Sequence, residues 1–259
     1  MRIARFTTGD VPSYGVVGQA DEEEIVASLV GDPLYSGVEL TGERHSLGEV
    51  RLLAPVIPRS KVVGIGRNYA AHAAELGNAV PSEPLVFFKP NTSVIGPHDP
   101  IVYPAASSDV SFEGELAVVI GRICRDVPAE KVADVIFGYT VCNDVTARDL
   151  QAKDNQWARA KGYDSFCPLG PWIETVLNPA DLMVTTTVNG EVRQRESTAL
   201  MIHDVAACIA YVSSFTTLLP GDVIATGTPA GVGSLTPGDE VSVTVDGIGT
   251  LTNQVVARD

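Results

Sequence analysis

Val110-Ser111-Phe112-Glu113-Gly114-Glu115-Leu116-Ala117-Val118-Val119-Ile120 reads as a buried strand with two acids near its start. Strand side chains alternate faces, so Glu113 and Glu115 point one way while Phe112, Gly114 and Leu116 point the other. The two carboxylates are then neighbours, roughly 6.6 Å apart along the strand. A third acid follows the apolar run Ile136 to Cys142, where Asn143-Asp144 reads as the C-terminal end of an inner strand opening into a site. Three converging carboxylates repel, each pair by about 4 kcal/mol at 4 Å and an effective dielectric near 20. A bound divalent cation removes that cost. With oxygen donors only and no His or Cys among the three, hard cations fit best, Mg2+ first and Mn2+ second. On spacing alone, Glu-x-Glu also suits a solvated face, and Asp144 also suits the cap of a helix starting at Val145.

The segments around these acids carry further candidates. Upstream, Lys61 to Gly66 reads as a buried strand, and Asn68 to Leu76 is an Ala-rich helix ended by Gly77. On it His72 and Glu75 stand at i and i+3 and share a face, as a general base and the carboxylate that orients it would; the same spacing also occurs as surface decoration. Leu85 to Pro90 reads as a strand with Lys89 at its end, and Pro128 to Val135 as a helix between the acid-bearing strands. Val145 to Gln151 reads as a helical turn that brings Arg148 over Asp144, with Gln151 beyond it; Arg148 also suits an ion pair with Asp144 or Asp149. The polar, Gly-interrupted segment Lys153 to Phe166, with Lys161, reads as an active-site loop.

Further on, Leu182 to Val188 and Glu191 to Arg195 flank Asn189-Gly190, a hairpin that reads as scaffold. Ile202 to Phe215 has the period of a helix with one buried face. Thr226 to Gly233 is Gly-rich and follows a strand, so its backbone N–H groups, at Gly227 above all, and the Thr228 hydroxyl suit a carboxylate. The loop lacks the G-K-[ST] ending of a P-loop.

Six separated motifs stand in the order found in the fumarylacetoacetate hydrolase family: Gly66-Arg67-Asn68-Tyr69 with His72 and Glu75, Phe88-Lys89-Pro90, Phe112 to Leu116, Asn143 to Asp149, Lys161 to Pro171, and Pro220 to Ile224 with Thr226 to Pro229. From about Lys61 onward the chain resembles that family, in its acylpyruvase and 2-hydroxyhepta-2,4-diene-1,7-dioate isomerase-like branch. The resemblance implies an α+β, β-rich fold, a mixed β-sandwich roll, formed by residues 58–259. Residues 1–57, with short strand-like pieces and an acidic run at Asp21 to Glu24, read as a small α/β appendage. It further implies that Glu113, Glu115 and Asp144 hold Mg2+ or Mn2+, that His72 and Glu75 sit on a lid, that Lys89 lies near the substrate, and that the protein is a homodimer.

The activity expected on this basis is divalent-metal-dependent chemistry on 2-oxo, enolisable dicarboxylic or acylpyruvate-type acids, foremost hydrolytic C–C cleavage through an enolate. His72 would activate the water, Lys161 would meet the enolate charge, and Arg148, Gln151, Gly227 and Thr228 would fix the anionic oxygens. The alternatives are isomerisation or decarboxylation of a seven-carbon dienoic diacid and decarboxylation of oxaloacetate, which share the enolate. A non-catalytic binder of small acids or metal is a different class, disfavoured because a binder does not need both the dyad and the three acids.

The 259-residue chain carries a formal net charge of −14, which argues against nucleic-acid partners and an anionic membrane surface. An anionic substrate then needs local positive charge, for which Arg67, Lys89, Arg148 and Lys161 are the candidates. No apolar run approaches the ~20 residues of a membrane span, and the start does not read as a signal peptide, so the expected location is the cytoplasm. The four cysteines form no C-x-x-C pair and read as free buried thiols.

Overall fold

In the computed structural model, which describes residues 1–9 and 11–258, the decisive stretch is two strands rather than one. Val110–Phe112 and Gly114–Ile120 belong to different sheets, and Glu113 is the residue at which the chain crosses between them. Its peptide is pinned on both sides: the Glu113 N–H donates to Asn143 Oδ1 (3.0 Å) and its carbonyl accepts from the Asp144 N–H (2.8 Å).

Gly114–Ile120 lies inside a twelve-stranded sheet whose main path runs Leu40–Ser46, Glu23–Leu29, Ser13–Ala20, Arg2–Thr7, Cys167–Glu174, Ile136–Asn143, Gly114–Ile120, Val223–Ala225, Val62–Gly66, Leu85–Lys89. Both faces of Gly114–Ile120 are covered. Leu116, Val118 and Ile120 pack with the helix Val205–Phe215 and with Val184, Val243 and Leu251 of a five-stranded sheet. Ala117 and Val119 pack on the opposite side with Ile3, Val62, Leu169 and Val223. Burial on two faces explains the unbroken apolar run, since each fully buried Val, Leu or Ile contributes about 1.5–3 kcal/mol.

Where the backbones cross, only glycine fits. A Cβ on Gly114 would lie 2.1 Å from Thr186 Oγ1 and 2.9 Å from Val243 Cγ1, so the Glu-Gly-Glu order lets the acid strand rest directly on the five-stranded sheet. That sheet runs Glu191–Ser197, Met183–Val188, Glu240–Val245, Gly249–Ala257, Ile101–Tyr103. Its first pair is the expected hairpin, turning at Asn189 and Gly190, both with positive φ.

Residues 1–57 contribute five strands and the one-turn helix Pro33–Ser36. Arg2–Thr7 pairs with Cys167–Glu174, so the main sheet continues through this part of the chain. Three local expectations change. The segment after Pro128 is a tighter 3-10 helix, Ala129–Asp134. The last helix begins at Val205, capped by Asp204, leaving Ile202 outside, and Phe215 at its end is exposed. Asp144 does not enter a helix: Thr146–Ala147 is a strand and the helix is Arg148–Lys153, so the i,i+4 relation between Asp144 and Arg148 does not form.

Candidate metal centre and active site

The strand Ile136–Asn143 ends where Glu113 breaks the neighbouring strand, and this brings the acids together. Glu113, Glu115 and Asp144 each offer an oxygen within 4.8 Å of the other two, the one such grouping of possible metal ligands among the described residues. All three are at most 5% exposed, which removes the solvated-face reading.

Three cations stand among them. Lys161 Nζ donates to Glu113 Oε2 (2.8 Å) and to Asp144 Oδ2 (2.5 Å). Lys89 Nζ donates to Asp144 Oδ1 (2.5 Å) and to the Val145 carbonyl (3.3 Å). Arg148 Nη2 lies 2.5 Å from Glu113 Oε1, a charge contact off the line of a hydrogen bond. The partner of Arg148 is therefore Glu113, and neither of the partners considered from sequence, Asp144 and Asp149, lies within ion-pair distance of it. The formal charges balance, but their distribution is uneven. Burial pushes the Glu113 carboxyl up, yet Lys161 and Arg148 outweigh it and hold the group well below the usual carboxylate range. Burial, then Asp144 and Glu113, push Glu115 well above that range; the Lys161 charge and the hydrogen bond from the Gly227 N–H (2.8 Å) oppose this without offsetting it, and among the described residues no cation lies within ion-pair distance of Glu115. Burial alone would lower Lys161, but Asp144 and Glu113 raise it above its ordinary value. A buried carboxylate set of oxygens only, with one member left uncompensated, fits a hard divalent cation such as Mg2+ or Mn2+.

Glu113 and Glu115 open into a cavity of ≈ 350 Å³, while Asp144 lies outside its lining. Arg67, His72, Glu113, Glu115, Arg148, Gln151, Lys161 and Thr228 line it. His72, on the helix Ala70–Glu75, is buried, and its Nδ1 lies 3.3 Å from Glu75 Oε2. Glu75 is outside the lining and is held by the Gly231 N–H at 3.0 and 3.2 Å. Arg148 Nη1 donates to Gln151 Oε1 (2.9 Å). Arg67 sits at φ +55°, a left-handed conformation that side chains other than glycine rarely adopt, with its guanidinium 5.8 Å from the Trp157 ring centroid. Among the described residues it is the cavity cation with no carboxylate within ion-pair distance.

Two expected positions differ. Lys89 is fully buried behind Asp144, outside the cavity lining. The Gly227 N–H holds Glu115, while the Thr228 hydroxyl donates to the Gly114 carbonyl (2.9 Å), so both serve the frame of the acids. Sequence reasoning missed Leu76, Asn78 and Trp157, which complete the wall. Trp157 stood in the segment read as an active-site loop, but nothing local marked its ring as packed against Gly66 and Phe87.

The chain matches the family described as fumarylacetoacetate (FAA) hydrolase C-terminal over residues 61–256, and one described as Rv2993c-like, N-terminal over residues 1–55. The crystal structure of 5-carboxymethyl-2-hydroxymuconate delta-isomerase from Mycobacterium smegmatis is 50% identical, with TM-score 0.93 and 100% of each chain covered. The mitochondrial oxaloacetate tautomerase FAHD2A of Homo sapiens is 44% identical over 80% of this chain and 70% of that one. Fumarylpyruvate hydrolase from Pseudomonas aeruginosa, solved in complex with Mn2+ and pyruvate, is 35% identical, with TM-score 0.75, over 78% of this chain and 91% of that one.

Proposed function

The chain belongs to the fumarylacetoacetate hydrolase family, and from that premise we propose that it is a divalent-metal-dependent enzyme that moves a proton on an enolisable 2-oxo dicarboxylic acid. The observation that carries this reading is one cavity lined by a carboxylate-held buried histidine and by Glu113 and Glu115, with the buried Asp144 completing their cluster within 4.8 Å. With Glu75 on Nδ1, a neutral His72 carries its proton there and offers Nε2 as the base that takes a proton from C3, next to the 2-oxo carbon, and returns it. Lys161, held between Glu113 and Asp144, brings positive charge to the oxygen that becomes negative. A divalent cation held by Glu113, Glu115 and Asp144 supplies, when bound, the Lewis acidity that makes the enolate accessible near neutral pH. Arg67 takes the distal carboxylate, since the other cavity cations are already paired with acids, and Gln151, accepting from Arg148, also lines the cavity. Lys89 keeps Asp144 in place from behind.

Hydrolytic C–C cleavage, first in the sequence reading, becomes the second reading. It is favoured by the fumarylpyruvate hydrolase at 35% identity, and the same base would act on water. The relatives at 50% and 44% identity are named for isomerisation and tautomerisation, which need proton transfer only. The test follows the ultraviolet absorbance of the enol of oxaloacetate and of a 2-hydroxymuconate-type dienol with Mn2+-loaded protein, and in parallel pyruvate release from fumarylpyruvate with a coupled dehydrogenase. Enol decay faster than in buffer, without carbon–carbon cleavage, is expected. Pyruvate release alone would establish the second reading, and spontaneous rates throughout would refute both.

A further inference from the structure

The strand Glu191–Ser197 reads from sequence as the return arm of a scaffold hairpin, yet one of its side chains reaches the frame of the acids. Gln194 is 1% exposed and does not line the cavity. Its Oε1 accepts from the Gly114 N–H (3.0 Å), and its Nε2 donates to Thr228 Oγ1 (2.8 Å) and to the Pro229 carbonyl (2.7 Å). Thr228 Oγ1 in turn donates to the Gly114 carbonyl (2.9 Å). Gly114, Gln194 and Thr228 thus close a ring that uses both backbone polar groups of Gly114, the residue between Glu113 and Glu115. Thr186, the register partner of Gln194, presses on the same glycine from below. The far side of the ring continues into Gly227, whose N–H holds Glu115 Oε2. One primary amide therefore governs the spacing of two acids and the loop that orients one of them. Among uncharged side chains only a carboxamide, that of Gln or the shorter Asn, accepts at one atom while donating twice from another.

We propose that Gln194 is a positioning residue of the metal centre, setting the Glu113 and Glu115 backbone and coupling it to the Gly227 loop without touching cation or substrate. The inference rests on the reading of Glu113, Glu115 and Asp144 as a divalent-cation site.

The experiment titrates Mn2+ into the full chain and into Gln194→Met, which keeps the side-chain length and makes none of the three bonds, reading free Mn2+ by electron paramagnetic resonance. Mn2+ affinity is expected to fall about 10–100-fold, with kcat lowered at saturating Mn2+ and substrate KM near that of the parent. A merely structural role would lower the melting temperature and leave the Mn2+ affinity of the folded protein unchanged, and that result overturns the proposal. Thr228→Val breaks the same ring, so the double variant should lose no more affinity than the weaker-binding single variant; additive losses overturn it as well. Should Gln194→Met not fold, Thr228→Ser against Thr228→Val decides: near-parent Mn2+ binding in the first and weakened binding in the second supports the ring, and equal binding overturns it. Absence of Mn2+ binding by the unaltered chain would instead overturn the cation site itself.

Discussion

Gly114→Ala tests whether the acid strand depends on direct contact with the five-stranded sheet. The new Cβ would sit 2.1 Å from Thr186 Oγ1 and 2.9 Å from Val243 Cγ1, where ordinary contacts are 3.4–4 Å. Thr186 and Val243 are both buried on strands of that sheet, so neither is a flexible end that swings away. The acid strand or the sheet must move by an appreciable fraction of 1 Å or more. Overpacking of this kind costs about 1–3 kcal/mol. In a chain of this size that corresponds to a melting temperature lower by about 2–12 °C. The same movement displaces Glu113 and Glu115, and a misplacement of about 1 Å costs on the order of 10²-fold in rate. Calorimetry on metal-free protein reads the first effect, and Mn2+ titration with the enol assay reads the second. Thr186→Ala is the control. It removes a buried hydroxyl that has no partner, so alone it should change little, while in the double variant it should restore part of what Gly114→Ala loses. A Gly114→Ala protein with parental melting temperature, Mn2+ affinity and rate would refute the contact, and strictly additive effects would refute the role of Thr186.

Other outcomes follow from the site. His72→Ala should bind Mn2+ nearly as the parent does while enol turnover falls about 10²–10⁴-fold; a parental rate would remove His72 from the mechanism. In metal-free protein the Glu115 carboxyl holds its proton more tightly folded than unfolded, so stability is lost as pH rises from about 4.3, the unfolded glutamate value, towards the higher folded one. Glu115→Gln should therefore gain in melting temperature relative to the parent between pH 5 and pH 8 in EDTA, and lose the stabilisation that Mn2+ confers on the parent; a difference independent of pH would contradict the assigned burial effect. Burial pushes the Cys208 thiol up to about 12, against about 8.5 in an unfolded chain, so its contribution to stability is lost as pH rises above about 8.5. All four cysteines are buried, and thiol reagents at pH 8 should label them only on unfolding; labelling of native protein at the unfolded rate would show that the core opens.

The parts of the site legible in the sequence are those carried by short spacing. Glu-Gly-Glu, Asn143-Asp144, the His72 and Glu75 pair, the Asn189-Gly190 turn and the Gly-rich loop each follow from alternation, helical period or turn chemistry within a few residues. The β-rich class comes from the resemblance that the six ordered motifs carry, and the unbroken apolar runs agree with it because strands buried on both faces leave such runs. Tertiary structure alone decided which of these segments meet. Whether the Val110–Ile120 stretch is one strand or two depends on Asn143 and Asp144 reaching back to Glu113, and whether the Gly-rich loop faces substrate or Glu115 depends on where Val223–Ala225 docks beside Gly114–Ile120. Gln194 lies 80 residues from Gly114 and 34 from Thr228, and its amide acquires a role only when two sheets cross. Local patterns are set by the energetics of adjacent residues; the cross-sheet register that aligns distant ones is set by how whole buried faces fit, which no short stretch contains.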